Sequence, residues 1–373
     1  MHTTKGDAWA GNVTEECPRC GEGASREKKH MAATGISRRE MLLASLGGIG
    51  AAAGAAGLRT TMGLATTSFM TAAKPKDALE FLEYAHSLGA GGIQAGLRTA
   101  EPEYARRLRR RAGELAMYLE VMAGLPKSDA VEFERVVVAA KEAGTLCIRT
   151  ACLGGRRYET FSSLDEWKRF VADSHARIRA ALPIAEKHRV AVALENHKDW
   201  TAEELVALLR QYQSEYLGVC LDTGNNIALL DDPLDTVDRL APYAISTHLK
   251  DAALEEDEDG FLLADVPLGE GILDLEAMVA RIRAARPATR FSLEMITRNP
   301  LEVPCLTETF WATFPERNGR YLARTLALAR ARKPATALSR LDGLDAGALR
   351  ALEEENVKKC IAYARDNLGL RAG

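Results

Sequence analysis

From Thr61 onward, short apolar or β-branched runs alternate with longer stretches whose apolar residues recur every three or four positions. That is the pattern of strands alternating with amphipathic helices. Eight strands are predicted: Met62 to Phe69, Gly91 to Leu97, Tyr118 to Ala123, Leu146 to Ala151, Val190 to Glu195, Leu217 to Asp222, Ala244 to Leu249 and Arg290 to Met295. Helical spacing lies between them, as in Ala78, Leu79, Phe81, Leu82 and Ala85, or Val131, Phe133, Val136, Val137 and Ala140. Gly89 and Gly144 stand just before the second and fourth strands, where glycine ends a helix without steric penalty. Eight such repeats, with no GxGxxG after the first strand, predict an α/β fold closed into a (β/α)8 barrel. The alternative is an open, doubly wound sheet.

Helical patterns continue from Lys333 to Gly373, including Leu349 with Leu352 and Val357 with Ile361. They predict a C-terminal helical extension packed on the barrel or on a neighbouring subunit. Ahead of the barrel, Ser37-Arg38-Arg39-Glu40-Met41-Leu42 precedes an Ala/Gly-rich apolar run to Gly57, with small residues at Ala53-Gly54-Ala55. The stretch resembles a twin-arginine export signal, although Met41 stands where Phe is common. The expected organisation is a leader over 1–57, a barrel over 58–332 and the extension over 333–373. Export is the expected location and the cytoplasm the alternative; translation begins at Met1 or at Met31. The apolar run is short for a membrane span, so no transmembrane anchor is expected after processing.

A formal net charge of -3 lacks the basic footprint of a nucleic-acid binder. Cys17 and Cys20 form a lone CxxC in the leader, a weak metal signal without a second pair. Cys147, Cys152, Cys220 and Cys305 sit in or beside apolar segments, the usual place of small buried hydrophobes, and no disulfide is predicted.

Four consecutive predicted strands end in groups that can ligate a metal: Glu195, Asp222, His248 and Glu294. In a barrel the C-terminal strand ends converge on one mouth. Carboxylates crowded there at low dielectric are costly unless a cation compensates them. One divalent ion is the simplest compensation. Three carboxylates and an imidazole suit Mn²⁺, Mg²⁺ or Co²⁺, with Zn²⁺ as a further candidate.

These strand ends, read as Leu194-Glu195, Leu221-Asp222-Thr223-Gly224-Asn225, Thr247-His248-Leu249-Lys250-Asp251 and Leu293-Glu294, resemble the xylose-isomerase-like TIM barrels over roughly residues 61–332. That superfamily holds sugar isomerases, sugar epimerases and endonuclease-IV-like proteins. Leu268-Gly269-Glu270-Gly271 with Asp274 is similar to its loop before the seventh helix, where Asp274 can cap the helix. The resemblance implies that the four residues form a metal set. An endonuclease-IV-like trinuclear cluster needs many more histidines than His197 and His248. Asn225 stands where many epimerases of the group carry a histidine. The runs Glu195-Asn196-His197-Lys198-Asp199-Trp200 and Thr297-Arg298-Asn299-Pro300 are similar to the branch that includes 3-oxo-isoapionate decarboxylases.

Three functions follow as expectations. The first is a metal-dependent isomerase or epimerase of a sugar or sugar acid, with Glu195 and Glu294 as the acid/base pair. The second is a metal-dependent decarboxylase of an oxo-sugar acid such as 3-oxo-isoapionate. The third is a non-catalytic exported sugar-binding barrel. Substrate-holding candidates are His197, Lys198, Asn225, Lys250, Arg156 and Arg298, with Arg157 beside them; Lys250 has pairing with Asp251 as its structural alternative. Basic groups so near the mouth point toward an acidic substrate. A homo-oligomer is compatible with the sequence and not specified by it.

Overall fold

Each predicted strand becomes a short parallel strand because its apolar run is buried on both sides, by the barrel interior and by the helices outside. The computed structural model describes residues 59–372 apart from 71–74, 76, 128–129, 333 and 335–336. The expected leader, with Cys17, Cys20 and the paired arginines, lies outside the described residues. The strands, in chain order, are β1 (Gly63–Ala65), β2 (Gly92–Ala95), β3 (Tyr118–Met122), β4 (Ile148–Thr150), β5 (Val192–Glu195), β6 (Leu217–Asp222), β7 (Ala244–Leu249), β8 (Asp251–Asp257), β9 (Gly260–Val266), β10 (Ser292–Leu293) and β11 (Leu301–Val303). Eight of them close a barrel in the order β1-β10-β7-β6-β5-β4-β3-β2. The open-sheet alternative is thereby excluded.

Helices between the strands begin where the sequence supplies caps. Asp77 accepts from the Leu79 and Glu80 amides, Thr201 and Glu204 make a reciprocal capping box, and Asp274 caps Leu275–Ala285. Gly89 and Gly144 end their helices at φ 91° and 78°, the left-handed conformation expected of them.

At the N-terminal end of the barrel the Tyr118 ring lies against Gly63 and Gly92, its hydroxyl donating to Phe291 O at 2.7 Å and accepting from Gly63 N at 2.9 Å. A methyl group at Gly92 would collide with that ring. Gly92→Ala is therefore expected to cost about 1–3 kcal/mol by overpacking. The control Gly96→Ala, whose methyl group meets nothing closer than 3.8 Å, should stay within about 0.5 kcal/mol. Urea denaturation measures both, and equal midpoints for the two variants would contradict the packing described.

Two features extend the barrel. The hairpin β8–β9 pairs antiparallel and takes β11 as a third strand. One face buries Leu254, Phe261, Leu263, Leu301 and Val303 against Phe310 and Phe314 in a separate cluster. It follows His248 directly and so rises beside the mouth. The C-terminal helix Ala346–Asp366 is amphipathic, and Val357, Cys360, Ile361 and Ala364 join the barrel's main core. Of the two expected placements, the barrel is the one observed. The tail closes the contact through Thr61 N donating to Leu370 O at 2.7 Å. Among the described residues, no helix is long and apolar enough to cross a membrane.

Candidate active site

Strand length places the chemistry. β5 ends on Glu195 and β6 on Asp222, His248 is the penultimate residue of β7, and Glu294 directly follows β10. Asp222 pairs in register with His248, Glu195 pairs with Cys220 two residues before Asp222, and Ser292, two residues before Glu294, pairs with His248; the ligand atoms of the four meet within 4.8 Å of one another. All four are buried. His248 Nδ1 lies 3.4 Å from Glu195 Oε1, 3.4 Å from Glu294 Oε2 and 3.8 Å from Asp222 Oδ2. Ligands each about 2.1 Å from a common centre are separated by about 3.0–3.4 Å, so the cluster is close to the size of a coordination sphere.

Hydrogen bonding tests whether the free atoms suit a metal. Gln94 Nε2 donates to Glu120 Oε2 at 2.9 Å, which turns Gln94 Oε1 toward His248 Nε2 at 2.6 Å. His248 Nε2 therefore carries a proton, and Nδ1 is the ring nitrogen that faces the three carboxylates. Buried Nδ1 has no hydrogen-bond partner, and neither has Asp222 Oδ2, although Lys250 Nζ forms an ion pair with that oxygen at 3.1 Å. Asp222 Oδ1 is instead occupied, accepting from Gly224 N at 2.8 Å and Asn225 N at 2.7 Å. An imidazole nitrogen and carboxylate oxygens facing one point fit a divalent cation, which would replace the Nδ1 proton on binding.

Cations surround the cluster. Arg149 Nη2 pairs with Glu195 Oε2. Lys250 Nζ sits 2.7 Å from Glu294 Oε2 and 3.6 Å from Asp265 Oδ1, and Arg298 meets the other Asp265 oxygen at 3.3 Å. Burial pushes Glu294 up, but the charges of His248 and Lys250 more than offset it and hold the carboxyl well below its usual range. Thr67 Oγ1 also donates to Glu294 Oε1 at 2.9 Å. Asn225 bridges: its amide donates to Glu195 Oε1 at 3.1 Å while its oxygen accepts from Lys198 Nζ. Burial, then the neighbouring charges of Lys250 and Arg298, pulls Lys198 down to about 7. The Lys198 backbone is left-handed, at φ 64°, a conformation that costs a lysine about 1 kcal/mol or more.

The other sequence candidates divide. His197 is held beside the cluster, its Nδ1 donating to Leu153 O at 3.0 Å, and burial with the charge of Lys198 pulls it down to about 3. Arg298 reaches the mouth through Asp265. Arg156 turns to Glu159 at the start of the short helix Arg157–Thr160. Arg157 is buried between the rings of Trp167 and Phe314, with Glu204 as its ion-pair partner, so its work is structural. Lys250 does not take Asp251 as its partner; that carboxylate accepts from the backbone of Ala252, Gly269, Gly271 and Leu273 and pins the loop before helix Leu275–Ala285.

Sequence reasoning passed over Arg149, Gln94, Glu120, Thr67 and Asp265. A signal existed for three of them: Gln94, Glu120 and Arg149 are long polar side chains inside short strands of a parallel barrel. Such a position is rarely polar without a partner.

The closed parallel barrel and the acid–imidazole cluster at its mouth define a TIM barrel with a candidate metal centre. The chain belongs to the xylose isomerase-like TIM barrel family, which matches residues 82–312. It is 28% identical over 233 residues to a 3-oxo-isoapionate decarboxylase of Pectobacterium atrosepticum, covering 60% of this chain and 80% of that protein. Among solved structures it is similar to D-psicose 3-epimerase crystallised in the presence of D-fructose, with TM-score 0.53, 15% identity and coverage of 83% of this chain and 99% of that one. A xylose isomerase-like TIM barrel protein from Mycobacterium smegmatis in complex with magnesium gives TM-score 0.50, 15% identity and coverage of 72% and 98%. At such identities the two structures speak to the fold alone.

Proposed function

We propose that this protein is a metal-dependent enzyme that decarboxylates an oxo-sugar acid. The observation that carries the reading is that each glutamate is paired with a cation, Glu195 with Arg149 and Glu294 with Lys250. An isomerase or epimerase, the first expectation from sequence, needs one of these carboxylates to take a proton from carbon. A carboxylate beside a buried cation is a weak base. Decarboxylation of a β-keto acid asks for no such base. The carbon–carbon bond breaks, its electron pair stays on the substrate, carbon dioxide leaves, and the remaining carbon accepts one proton.

When bound, a divalent ion held by Glu195, Asp222, His248 and Glu294 supplies Lewis-acid stabilisation of the negative charge that develops on the substrate's carbonyl oxygen. The oxygen-rich donor set favours Mn²⁺, Mg²⁺ or Co²⁺. Charge at the mouth favours an acid as substrate. The basic groups Arg149, Lys198, Lys250 and Arg298 equal in number the acids Glu195, Asp222, Asp265 and Glu294, with Lys250 facing three of the acids and Lys198 meeting Asn225. A divalent ion added to that balance leaves positive charge in excess, which attracts an anion. Arg298, half-buried behind Asp265, is placed to clamp a carboxylate in the bidentate manner of guanidinium groups. Lys198, with its ammonium near neutrality, is placed to return the proton. The 28% identity to a 3-oxo-isoapionate decarboxylase supports the same class of substrate.

The test is to incubate the metal-loaded protein with 3-oxo sugar acids in heavy water. Stoichiometric carbon dioxide is expected, with deuterium only in the shortened product. Deuterium entering the parent acid with all its carbon retained would replace this reading by the isomerase one. A protein that binds sugars without metal and turns none over would establish the non-catalytic barrel.

A further inference from the structure

Directly against the four-ligand cluster lies a thiol. Cys220 stands two residues before Asp222 on β6, so both side chains project to the same face of the strand. Cys220 is completely buried and forms a small cluster with Cys147 and Ala193. Its Sγ, one Glu195 carboxylate oxygen and one His248 ring nitrogen all lie within 4.8 Å of one another. The thiol donates a long hydrogen bond to Ser246 Oγ, at 3.7 Å. His248 Nδ1, the ring nitrogen not held by Gln94, is buried and without a hydrogen-bond partner.

We propose that Glu195, Cys220 and His248 form a second, softer metal site that overlaps the first. The cleft then holds either a hard ion on Glu195, Asp222, His248 and Glu294, or a thiophilic ion such as zinc or cadmium on Glu195, Cys220 and His248. Both sites need the single lone pair of His248 Nδ1, so occupation is exclusive. Thiolate sulfur favours soft ions over Mg²⁺ or Mn²⁺. On binding, the sulfur gives up its proton to solvent and bonds the ion. A soft ion drawn to Cys220 forgoes Asp222 and Glu294, which belong to the other ligand group. Thiophilic ions should therefore displace the working metal. Cys147 belongs to the same apolar cluster but to neither ligand group found among the described residues. The inference rests on the reading that Glu195 and His248 ligate a metal.

The test uses the full chain carrying Cys17→Ser and Cys20→Ser, which removes the leader's CxxC as a competing thiolate pair. Metal-free protein is titrated with cadmium alone and followed by the sulfur-to-metal charge-transfer band in the ultraviolet. Bound manganese is counted separately by electron paramagnetic resonance. One equivalent of cadmium should raise the band and release the manganese. Cys220→Ser should weaken cadmium binding about 10–100-fold while manganese still binds at one per chain; Cys147→Ser should change neither. Zinc-edge X-ray absorption of the zinc-loaded protein with Cys220 intact gives a reading that needs no variant at that position, and one sulfur neighbour is expected. Zinc with only nitrogen and oxygen neighbours, or a band that survives Cys220→Ser, overturns the soft site and leaves the four-ligand reading standing. Failure to bind any of the three metals overturns both.

Discussion

Lys250→Met is expected to lower the stability of the metal-free protein by about 3–5 kcal/mol, the range for a buried ion pair that loses one partner. Lys250 is 1% exposed, and its ammonium lies within 4 Å of Glu294, Asp222 and Asp265. Burial alone would pull its pKa down, yet these three carboxylates raise it above the usual lysine range. Methionine keeps most of the chain's length and removes only the charge. Three buried carboxylates then keep His248, and Arg298 beyond Asp265, as their nearby compensation.

A divalent ion supplies what the ammonium did, so the variant should gain more from added metal than the parent protein. A ligand that binds only the native state stabilises it by RT ln(1 + [L]/Kd), and the gain grows with affinity. Urea midpoints with and without manganese measure both effects. Equal metal-free stability of Lys250→Met and the parent would contradict the charge balance described. A loss that manganese cannot recover would contradict the placing of the ion among these carboxylates.

The barrel was legible because each strand is an apolar run cut off by a polar residue, and because the run repeats eight times. Strand ends were read too generously where the chain turns early. Met62 to Phe69 was predicted, but β1 stops at Ala65 and Thr66–Ser68 bend into a 3₁₀ turn that brings Thr67 to Glu294. The hairpin β8–β9 escaped notice because Glu255, Glu256, Asp257, Glu258 and Asp259 interrupt its apolar alternation. Its third strand, β11, is separated from β9 by the whole of helix Leu275–Ala285 and by β10, beyond the reach of a local pattern.

The three clustered acids and the imidazole were readable for a simple reason: each stands at the end of a strand or directly after it. Their supports were not, since partnership in a barrel is made across it. Gln94 and His248 meet although 154 residues separate them, and Arg149 reaches Glu195 on the next strand. Likewise Arg156 and Arg157 look alike in sequence. Only the distant Trp167, Glu204 and Phe314 turn Arg157 inward, while Glu159 holds Arg156 outside.

Asp222→Asn is expected to remove metal and activity together while leaving the fold in place. The two oxygens of Asp222 have separate duties. Oδ1 accepts from Gly224 N and Asn225 N and so shapes the turn that presents Asn225 to Glu195. Oδ2 has no hydrogen bond and faces His248 Nδ1 at 3.8 Å. An asparagine can keep its oxygen on the two amides, which need an acceptor, and must then turn its NH₂ toward the cluster. That group has no lone pair for a metal and meets Lys250 Nζ, another donor, where the carboxylate stood 3.1 Å away. Lewis-acid stabilisation of developing charge contributes several kcal/mol, and each 1.36 kcal/mol is tenfold in rate. Turnover should therefore fall by about 10³-fold or more, with manganese no longer retained on dialysis. Near-ultraviolet circular dichroism of metal-free protein should stay close to that of the parent, while the urea midpoint falls because the buried ion pair with Lys250 loses one partner. Full metal occupancy with this loss of rate would move Asp222 from ligand to substrate contact, and unchanged turnover would remove the metal centre from the mechanism altogether.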